Sequence, residues 1–491
     1  MSSLPNTLYY AADVRELERI AIAERGIPGI ELMNRAGAAV FEAMLDHWPR
    51  ARDVVVLCGG GNNGGDGFVI ARLAYERGLR PTLMALEDVD ALNGDARRAW
   101  GAARSAGLVL TPYDPALLRE ADVIVDAMFG SGLNREVVGR YASAVEAINT
   151  SSVPVIAVDV PSGLAADQGA VLGCAVNADI TVTFIGLKTG LLTGAGPEYC
   201  GKIIFSNLGL SADIYNSVDP RAERIDWPRL KPMLGKRPRH AHKGHYGHVA
   251  VVGGNHGMAG AARMAAEAAA RVGAGLVSVA MRPLYTAAMA AARPEIMWRG
   301  VASEEGLDDV LGRSTVVAIG PGLGRDDWAR RLFEQAIEST LPLVIDADGL
   351  NLLAEQPRMR GYWILTPHIG EAARLLNCSP KEIERDRIGA VRQLQQEFDG
   401  VVVLKGAGSV ICGEDGEVAI CSGGNPGMAS GGMGDALTGV IAGLMAQGLP
   451  FEPAARAGVA LHAMAGDDAA RNGERGMLAM DLINCLRMLV N

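Results

Sequence analysis

Val54-Val55-Val56-Leu57-Cys58-Gly59-Gly60-Gly61-Asn62-Asn63-Gly64-Gly65-Asp66-Gly67 is an apolar, β-branched run that breaks into a glycine-rich turn, with a helical pattern from about Phe68 onward. A short, continuous apolar run reads as a strand covered on both faces, the habit of parallel sheets. A glycine turn between strand and helix aims backbone N–H groups and the positive helix end at an anionic ligand. Gly59-x-Gly61-x-x-Gly64 also has the dinucleotide-binding spacing, with Glu87 near the acidic position that follows the next strand. That spacing is shared by a hydride-transferring Rossmann domain and by a tight turn that binds nothing.

Working outward, the same rhythm of short apolar runs and helical segments continues through Pro81–Leu86, Val123–Asp126, Val155–Asp159, Ile180–Phe184 and Lys202–Phe205. Two helical patterns precede it, from about Ala12 to Glu24 and from Pro28 to His47. Between Ser211 and His248 the rhythm stops, and Pro220, Pro228, Pro232 and Pro238 punctuate a polar stretch that reads as a linker. A second series starts at Val249–Val252 and runs through Leu276–Ala280, Val316–Ile319, Leu343–Asp346, Trp363–Thr366, Val401–Lys405 and Ser409–Cys412. A long helical pattern from Gly434 to Leu489 closes the chain. The expected architecture is α/β: an N-terminal Rossmann-like three-layer domain over residues 1–215, then a second α/β domain over residues 225–491.

Composition agrees with this reading. Of 491 residues, 49% are hydrophobic and 21% charged, which is enough apolar material for two cores. The net charge of -10 argues against a nucleic-acid partner, because a phosphate backbone needs a basic face. Seven scattered cysteines without a C-x-x-C pair read as reduced thiols. The N-terminus lacks a signal-peptide pattern, and the apolar stretch from Ala259 to Ala280 carries Arg263, Glu267 and Arg271. That stretch reads as an Ala-rich helix running into a strand, not a membrane span, so a cytoplasmic protein is expected.

Chemistry gathers at the strand ends. Asp126 closes one apolar run ahead of Gly130-Ser131-Gly132-Leu133-Asn134-Arg135, and Asp159 closes another ahead of Pro161-Ser162-Gly163. The carboxyl ends of parallel strands line the ligand crevice, so Asn63, Asp126, Asp159 and Ser162 can meet at one edge. Taken singly, each is as well explained as a turn or helix cap. Together they are oxygen donors without Cys or His, which suits a hard cation.

These motifs, G-N-N-G-G-D-G, D-A-M-F-G-S-G-L and V-D-V-P-S-G-L, make residues 8–212 resemble the NAD(P)H-hydrate epimerases. The resemblance includes Ala11-Ala12-Asp13-Val14-Arg15 and Leu32-Met33-Asn34-Arg35-Ala36-Gly37. It implies contacts to a hydrated nicotinamide cofactor from Asn62, Asn63, Gly64, Gly65 and Asp66. It implies further contacts from Gly130, Ser131, Gly132, Leu133, Asn134, Arg135 and Glu136, and from Asp159. It also implies a potassium ion held by Asn63, Asp126 and Ser162. Asp159 is the candidate proton-transfer group, since a carboxylate beside the ring can move protons as C6 inverts.

The densest glycine run lies further on, in Gly423-Gly424-Asn425-Pro426-Gly427-Met428-Ala429-Ser430-Gly431-Gly432-Met433-Gly434-Asp435, followed by a helical segment from Ala436 to Ala446. Such a turn can form an anion hole for a transferring phosphoryl group. Asp435, in the first helical turn, could be a plain dipole partner. Beside so many glycines it is read as the base that deprotonates an attacking hydroxyl. Lys405-Gly406-Ala407-Gly408-Ser409, Ile319-Gly320-Pro321-Gly322-Leu323-Gly324, Asp346-Ala347-Asp348-Gly349-Leu350-Asn351 and Thr366-Pro367-His368-Ile369-Gly370-Glu371 supply further strand-end turns. No P-loop motif occurs.

Residues 225–491 resemble the ribokinase-like superfamily and, within it, the ADP/ATP-dependent NAD(P)H-hydrate dehydratases, through G-P-G-L-G, D-A-D-G-L-N, T-P-H-x-G-E and N-P-G-M-A-S-G-G-M-G-D. The resemblance implies cofactor contacts at Ala259, Gly322, His368 and Asp435, and nucleotide contacts at Lys405, Gly406, Ala407, Gly408, Ser409 and Gly434. ADP as phosphoryl donor, with Mg²⁺ on its phosphates, follows from the resemblance and not from the motifs, as does a homo-oligomer. Small-molecule partners are expected, with no nucleic acid and no membrane. His240, His242, His245, His248 and His256 crowd the start of this half; without a Cys or carboxylate at ligand spacing they read as a polar lead-in. Two rivals remain open at this level: a sugar or hydroxymethylpyrimidine kinase with an unrelated N-terminal domain, and a nucleotide sensor without chemistry.

Overall fold

The computed structural model describes residues 4–491, which divide into two compact units, one ending at Glu223 and one running from Arg224 to Asn491. In the first unit, β1 (Asp53–Cys58), β2 (Arg80–Ala85), β3 (Val123–Ala127), β4 (Val155–Val158), β5 (Ile180–Phe184) and β6 (Lys202–Ser206) form a parallel sheet in the order β2-β1-β3-β4-β5-β6. Side chains alternate along a strand, and the two faces bury different cores. Val54, Val56, Val123, Val125, Ile156 and Val158 pack with helices Gly29–His47 and Asn62–Glu76. Val55, Leu57, Ile124, Val155 and Ala157 pack with Tyr141, Ala144, Val145 and Ile148 of helix Arg140–Asn149. Each fully buried Val or Leu contributes about 1.5–3 kcal/mol. The strand order reverses between β1 and β3, and the crevice opens there, at the carboxyl ends.

The helix after β1 starts at Asn62, not at Phe68, so Asn62-Asn63-Gly64-Gly65-Asp66-Gly67 is helical and not a loop. Glycine is a poor helix former, yet contact demands it here. A Cβ on Gly64 would collide with the Gly59 carbonyl, one on Gly65 would lie 2.6 Å from Met33 Cε, and one on Gly67 2.6 Å from Cys58 Sγ. The glycines let the helix descend onto the sheet, which brings its amide-rich start to the crevice.

In the second unit, β7 (His248–Val252), β8 (Leu276–Met281), β9 (Met297–Gly300), β10 (Val316–Ile319), β11 (Leu343–Ile345), β12 (Trp363–Leu365), β13 (Val401–Leu404), β14 (Ser409–Cys412) and β15 (Val418–Cys421) lie in the order β9-β8-β7-β10-β11-β12-β13-β14-β15. Pairing is parallel from β9 to β13 and antiparallel across β13, β14 and β15. The half-exposed edge strand β9 and the buried strand β15 were not among the runs read from the sequence. The closing helical pattern is three helices, Met433–Ala446, Phe451–Ala469 and Ala479–Leu489, broken by turns at Gly448 and Gly473, both with positive φ. Helix Met433–Ala446 is buried almost all round and closes onto helix Ala259–Val272, where Gly443 leaves no room for a Cβ beside Val272 and Ala269. No described helix is long and apolar enough to cross a membrane.

Candidate active sites

In the first unit the crevice is a cavity of about 780 Å³. Its lining brings together Asn62, Asn63 and Asp66 from the start of their helix, Gly130 through Arg135 from the turn after β3, and Asp159 from the end of β4. Gly64 and Gly65 serve the packing described above and do not line it, and Glu136 is exposed outside it. Asp159 has φ +66°, a left-handed conformation that costs a non-glycine residue of order 1–3 kcal/mol and marks functional sites. Its carboxylate accepts from Lys188 Nζ at 2.5 Å, Thr183 Oγ1 at 3.2 Å and the Ser131 amide at 3.2 Å. Burial pushes this carboxyl up, but the Lys188 ammonium outweighs burial and holds it below its ordinary range. Asp66, by contrast, is driven well above that range by burial and by the charges of Asp159 and Glu18.

Asp126 and Ser162 lie fully buried behind this wall. Ser162 Oγ donates to Asp126 Oδ1 at 2.6 Å, the Ser162 amide donates to Oδ2 at 2.8 Å, and the Phe129 amide donates to Ser162 Oγ at 2.8 Å. Burial lifts Asp126 to about 6, since no cationic side chain meets it. Asn63 Oδ1 flanks Gly130, and Asn63 Nδ2 is buried without a partner. The Asp126 carboxylate, with no cationic side chain beside it, the Ser162 hydroxyl and Asn63 Oδ1 are oxygen donors of the kind a hard cation takes. No group of three or more His, Cys, Asp or Glu side chains suited to a metal occurs among the described residues. The His242 and His245 rings stack at 3.8 Å, and His242 Nδ1 accepts from the Gly244 amide, a local turn cap.

In the second unit the strand ends β7, β10, β11, β12 and β13 present their turns along one edge. Ala259 begins its helix beside the switch point between β7 and β10, and Gly322, with φ +59°, leaves only 2.5 Å between a Cβ and Met258 O. Asp435 lies in the first turn of helix Met433–Ala446, whose N-cap Gly432 supplies no side chain to the leading amides. Such amides are open to an anion. Burial and the Asp346 charge raise Asp435 to about 6 despite Lys405.

Lys405 is not directed to the following turn. Its ammonium pairs with Asp346, which is 1% exposed, and lies 3.8 Å from Glu371. Asp346 also accepts from Thr438 Oγ1 at 2.7 Å and so ties β11 and β13 to the helix that carries Asp435. Burial would raise Asp346, but Lys405 brings it below its ordinary range. Burial raises Glu371 to about 7. Gly434 sits over the pair, 3.3 Å separating its Cβ position from Lys405 Nζ. Gly406, Ala407 and Gly408 form the hairpin turn into Ser409, whose Oγ donates to Gly406 O at 3.0 Å. His368 caps its helix: Nδ1 accepts from the Gly370 and Glu371 amides, and burial holds the ring below its ordinary pKa.

Sequence reasoning passed over Lys188, Asp346, Glu371 and Thr438 as site members. Lys188 did leave a signal, a lone lysine within the apolar run from Phe184 to Leu192, where a buried lysine demands a partner. Asp346 and Glu371 stood in quoted motifs, but their link through Lys405 spans 59 positions and no local pattern shows it.

Residues 249–487 match the family described as NAD(P)H-hydrate dehydratase, and residues 29–190 match the YjeF-related protein N-terminus. The chain is 52% identical over 485 residues to the bifunctional NAD(P)H-hydrate repair enzyme of Coxiella burnetii, covering 99% of each chain. The chain belongs to the bifunctional NAD(P)H-hydrate repair enzymes. The member from Escherichia coli is 43% identical, with 100% of this chain and 95% of that one covered. Among solved structures, a ribokinase-like superfamily protein from Enterococcus faecalis is 30% identical with a TM-score of 0.51, over 54% of this chain and 94% of the other. The family places an isomerase and a nucleotide-dependent lyase on one polypeptide, and the fold is the expected pairing of a Rossmann-like and a ribokinase-like α/β architecture.

Proposed function

We propose that the unit ending at Glu223 interconverts the two C6 epimers of hydrated NADH or NADPH, and that the unit from Arg224 dehydrates the S epimer at the expense of ADP. The observation that carries the second assignment is Asp435: an unpaired, half-buried carboxylate near pKa 6, set beside open helix amides. Asp435 takes the proton of the C6 hydroxyl, and the oxygen attacks the β-phosphorus of ADP as the bond to AMP breaks. The amides from Gly431 to Gly434 hold the phosphoryl charge. Hydroxide is a poor leaving group, whereas phosphate is a good one. The ring nitrogen's lone pair expels it, and loss of a C5 proton restores the reduced nicotinamide. Mg²⁺, bound with the nucleotide, would supply charge neutralisation to its phosphates. The turn Gly406–Ser409 contributes backbone amides to the nucleotide, while Ala259, Gly322 and His368 border the hydrate.

In the first unit Asp159 is the proton-transfer group. It removes the C6 hydroxyl proton, the C6–N1 bond opens to an aldehyde with its electron pair on N1, and reclosure on the other face inverts C6. Asn63, Asp126 and Ser162 would hold potassium, which supplies fixed positive charge beside the turn from Gly130 to Arg135. Assembly as a homo-oligomer in the cytoplasm completes the reading, and light scattering measures the mass.

The decisive experiment incubates the purified protein with mixed hydrate epimers, with and without ADP, ATP and potassium, and follows the reduced nicotinamide absorbance. With ADP the S fraction returns first and the R fraction follows; without nucleotide nothing returns. Failure of ADP to restore the absorbance ends the dehydratase reading, and an R fraction that never returns ends the epimerase reading.

A further inference from the structure

Lys188 is 1% exposed. A lysine so buried is tolerated only when its charge and its donors are met. Its ammonium meets three acceptors, Asp159 Oδ1 at 2.5 Å, Thr183 Oγ1 at 3.1 Å and Phe184 O at 3.0 Å. An ammonium has three N–H donors, so all are spent and none remains for a substrate.

The two oxygens of Asp159 are treated differently. Oδ1 is tied back by Lys188 and by the Thr183 hydroxyl. Oδ2 accepts the Ser131 amide at 3.2 Å, the Ser131 side chain adds a hydrogen bond to the same carboxylate, and Oδ2 lies 3.4 Å from the Cβ position of Gly130, in the turn that lines the cavity. The charged neighbours work against one another. Glu18, from helix Ala11–Ala23, and Asp66, from helix Asn62–Glu76, both repel a charge on Asp159. Lys188, from the short strand Leu187–Lys188, attracts it. The left-handed backbone at Asp159 adds a further constraint on where its side chain points.

We propose that Lys188 is a positioning residue of the epimerase site, fixing Asp159 through Oδ1 as a charged, singly oriented carboxylate and leaving Oδ2 as the oxygen that exchanges a proton with the C6 hydroxyl. The proposal rests on the reading of Asp159 as the proton-transfer group. Lys188 lines the cavity, but its three donors are engaged with Asp159, Thr183 and Phe184, so its loss changes turnover more than binding.

The test uses the full chain, with R-to-S conversion of the hydrate resolved by chromatography and dehydration of the S hydrate by the same chain as an internal control. Lys188→Met lowers the epimerase kcat by about 100-fold, the low end of a general-base contribution, with KM nearly unchanged and dehydration intact. Lys188→Arg, which restores the positive charge, recovers about tenfold of that loss. A wild-type kcat in Lys188→Met, a loss confined to KM, or an Arg variant no better than Met overturns the proposal. Should Lys188→Met unfold the first unit, Thr183→Val decides instead. It keeps the ion pair but removes the shared hydroxyl, so kcat falls about fivefold at constant KM, as for one neutral hydrogen bond; an unchanged kcat overturns the proposal. Asp159→Asn, run alongside, separates the two ideas. If it still epimerises, the reading of Asp159 fails. If it is inactive while Lys188→Met turns over normally, only the role of Lys188 fails.

Discussion

Both units pair a lysine, fully buried in the first and partly buried in the second, with a buried aspartate at the carboxyl end of a parallel strand, yet they aim the pair differently. In the first unit Lys188 pairs with Asp159, the proposed proton-transfer group, and holds it below the ordinary carboxylate range. In the second, Lys405 pairs with Asp346, a neighbour, and Asp435 is left without a salt bridge at about 6. On the proposed roles, the first arrangement makes Asp159 an oriented weak base for a reversible proton exchange. The second makes Asp435 a stronger base, matched to pulling a proton from a hydroxyl as it attacks phosphorus. A lysine–aspartate pair therefore lowers the basicity of the aspartate it contains, while a carboxylate beside such a pair, as Asp435 is, keeps the basicity that burial and the Asp346 charge give it.

The largest effect that could break this contrast is Asp435→Ala. ADP-dependent dehydration should fall by about 10³-fold, within the usual range for a general base, while epimerisation stays within twofold of wild type. Retained dehydration would move the base elsewhere. Next comes Asp346→Ala, which strands Lys405 in the interior. Removing one partner of a buried pair costs about 3–5 kcal/mol, so denaturant unfolding of the second unit should begin at a clearly lower midpoint while epimerase activity persists. An unfolding free energy within about 1 kcal/mol of wild type would mean that Glu371 suffices for Lys405.

Gly64→Ala sharpens the comparison from the side of the first unit. Its Cβ meets the Gly59 carbonyl, main chain against main chain, and such overpacking costs about 1–3 kcal/mol. Epimerase activity and the stability of the first unit should drop together, and dehydration should not. An alanine variant with full epimerase activity would show that the helix start can shift without losing the site.

The smallest effect is in pH. A base must be unprotonated to act, so kcat/KM for dehydration should fall about tenfold per unit as pH drops below Asp435's value of about 6. Epimerisation should hold to lower pH, because Asp159 is held under the ordinary carboxylate range. Coincident acid limbs in the two rate profiles would remove the contrast.

Much of this was legible along the chain. The strands Ile180–Phe184, Val316–Ile319 and Ser409–Cys412 fall where their apolar runs predicted, since a run buried on both faces is a local signal. Asp159 and Asp435 were legible as candidates because each follows such a run or a glycine turn. The helical start at Asn62 was not legible, because the clash that demands glycine at Gly64 comes from the fold, not from helix propensity.

The sequence alone determined the alternation of strands and helices, the two glycine-rich turns and the identity of the carboxylates beside them, because periodicity and turn chemistry act over a few residues. Only the tertiary structure decided which carboxylate each lysine neutralises, since Lys188 reaches back 29 positions to Asp159 and Lys405 reaches 59 to Asp346. The basicity of a buried acid is set by the charges within a few ångströms of it, and those neighbours exist only once the strands lie side by side.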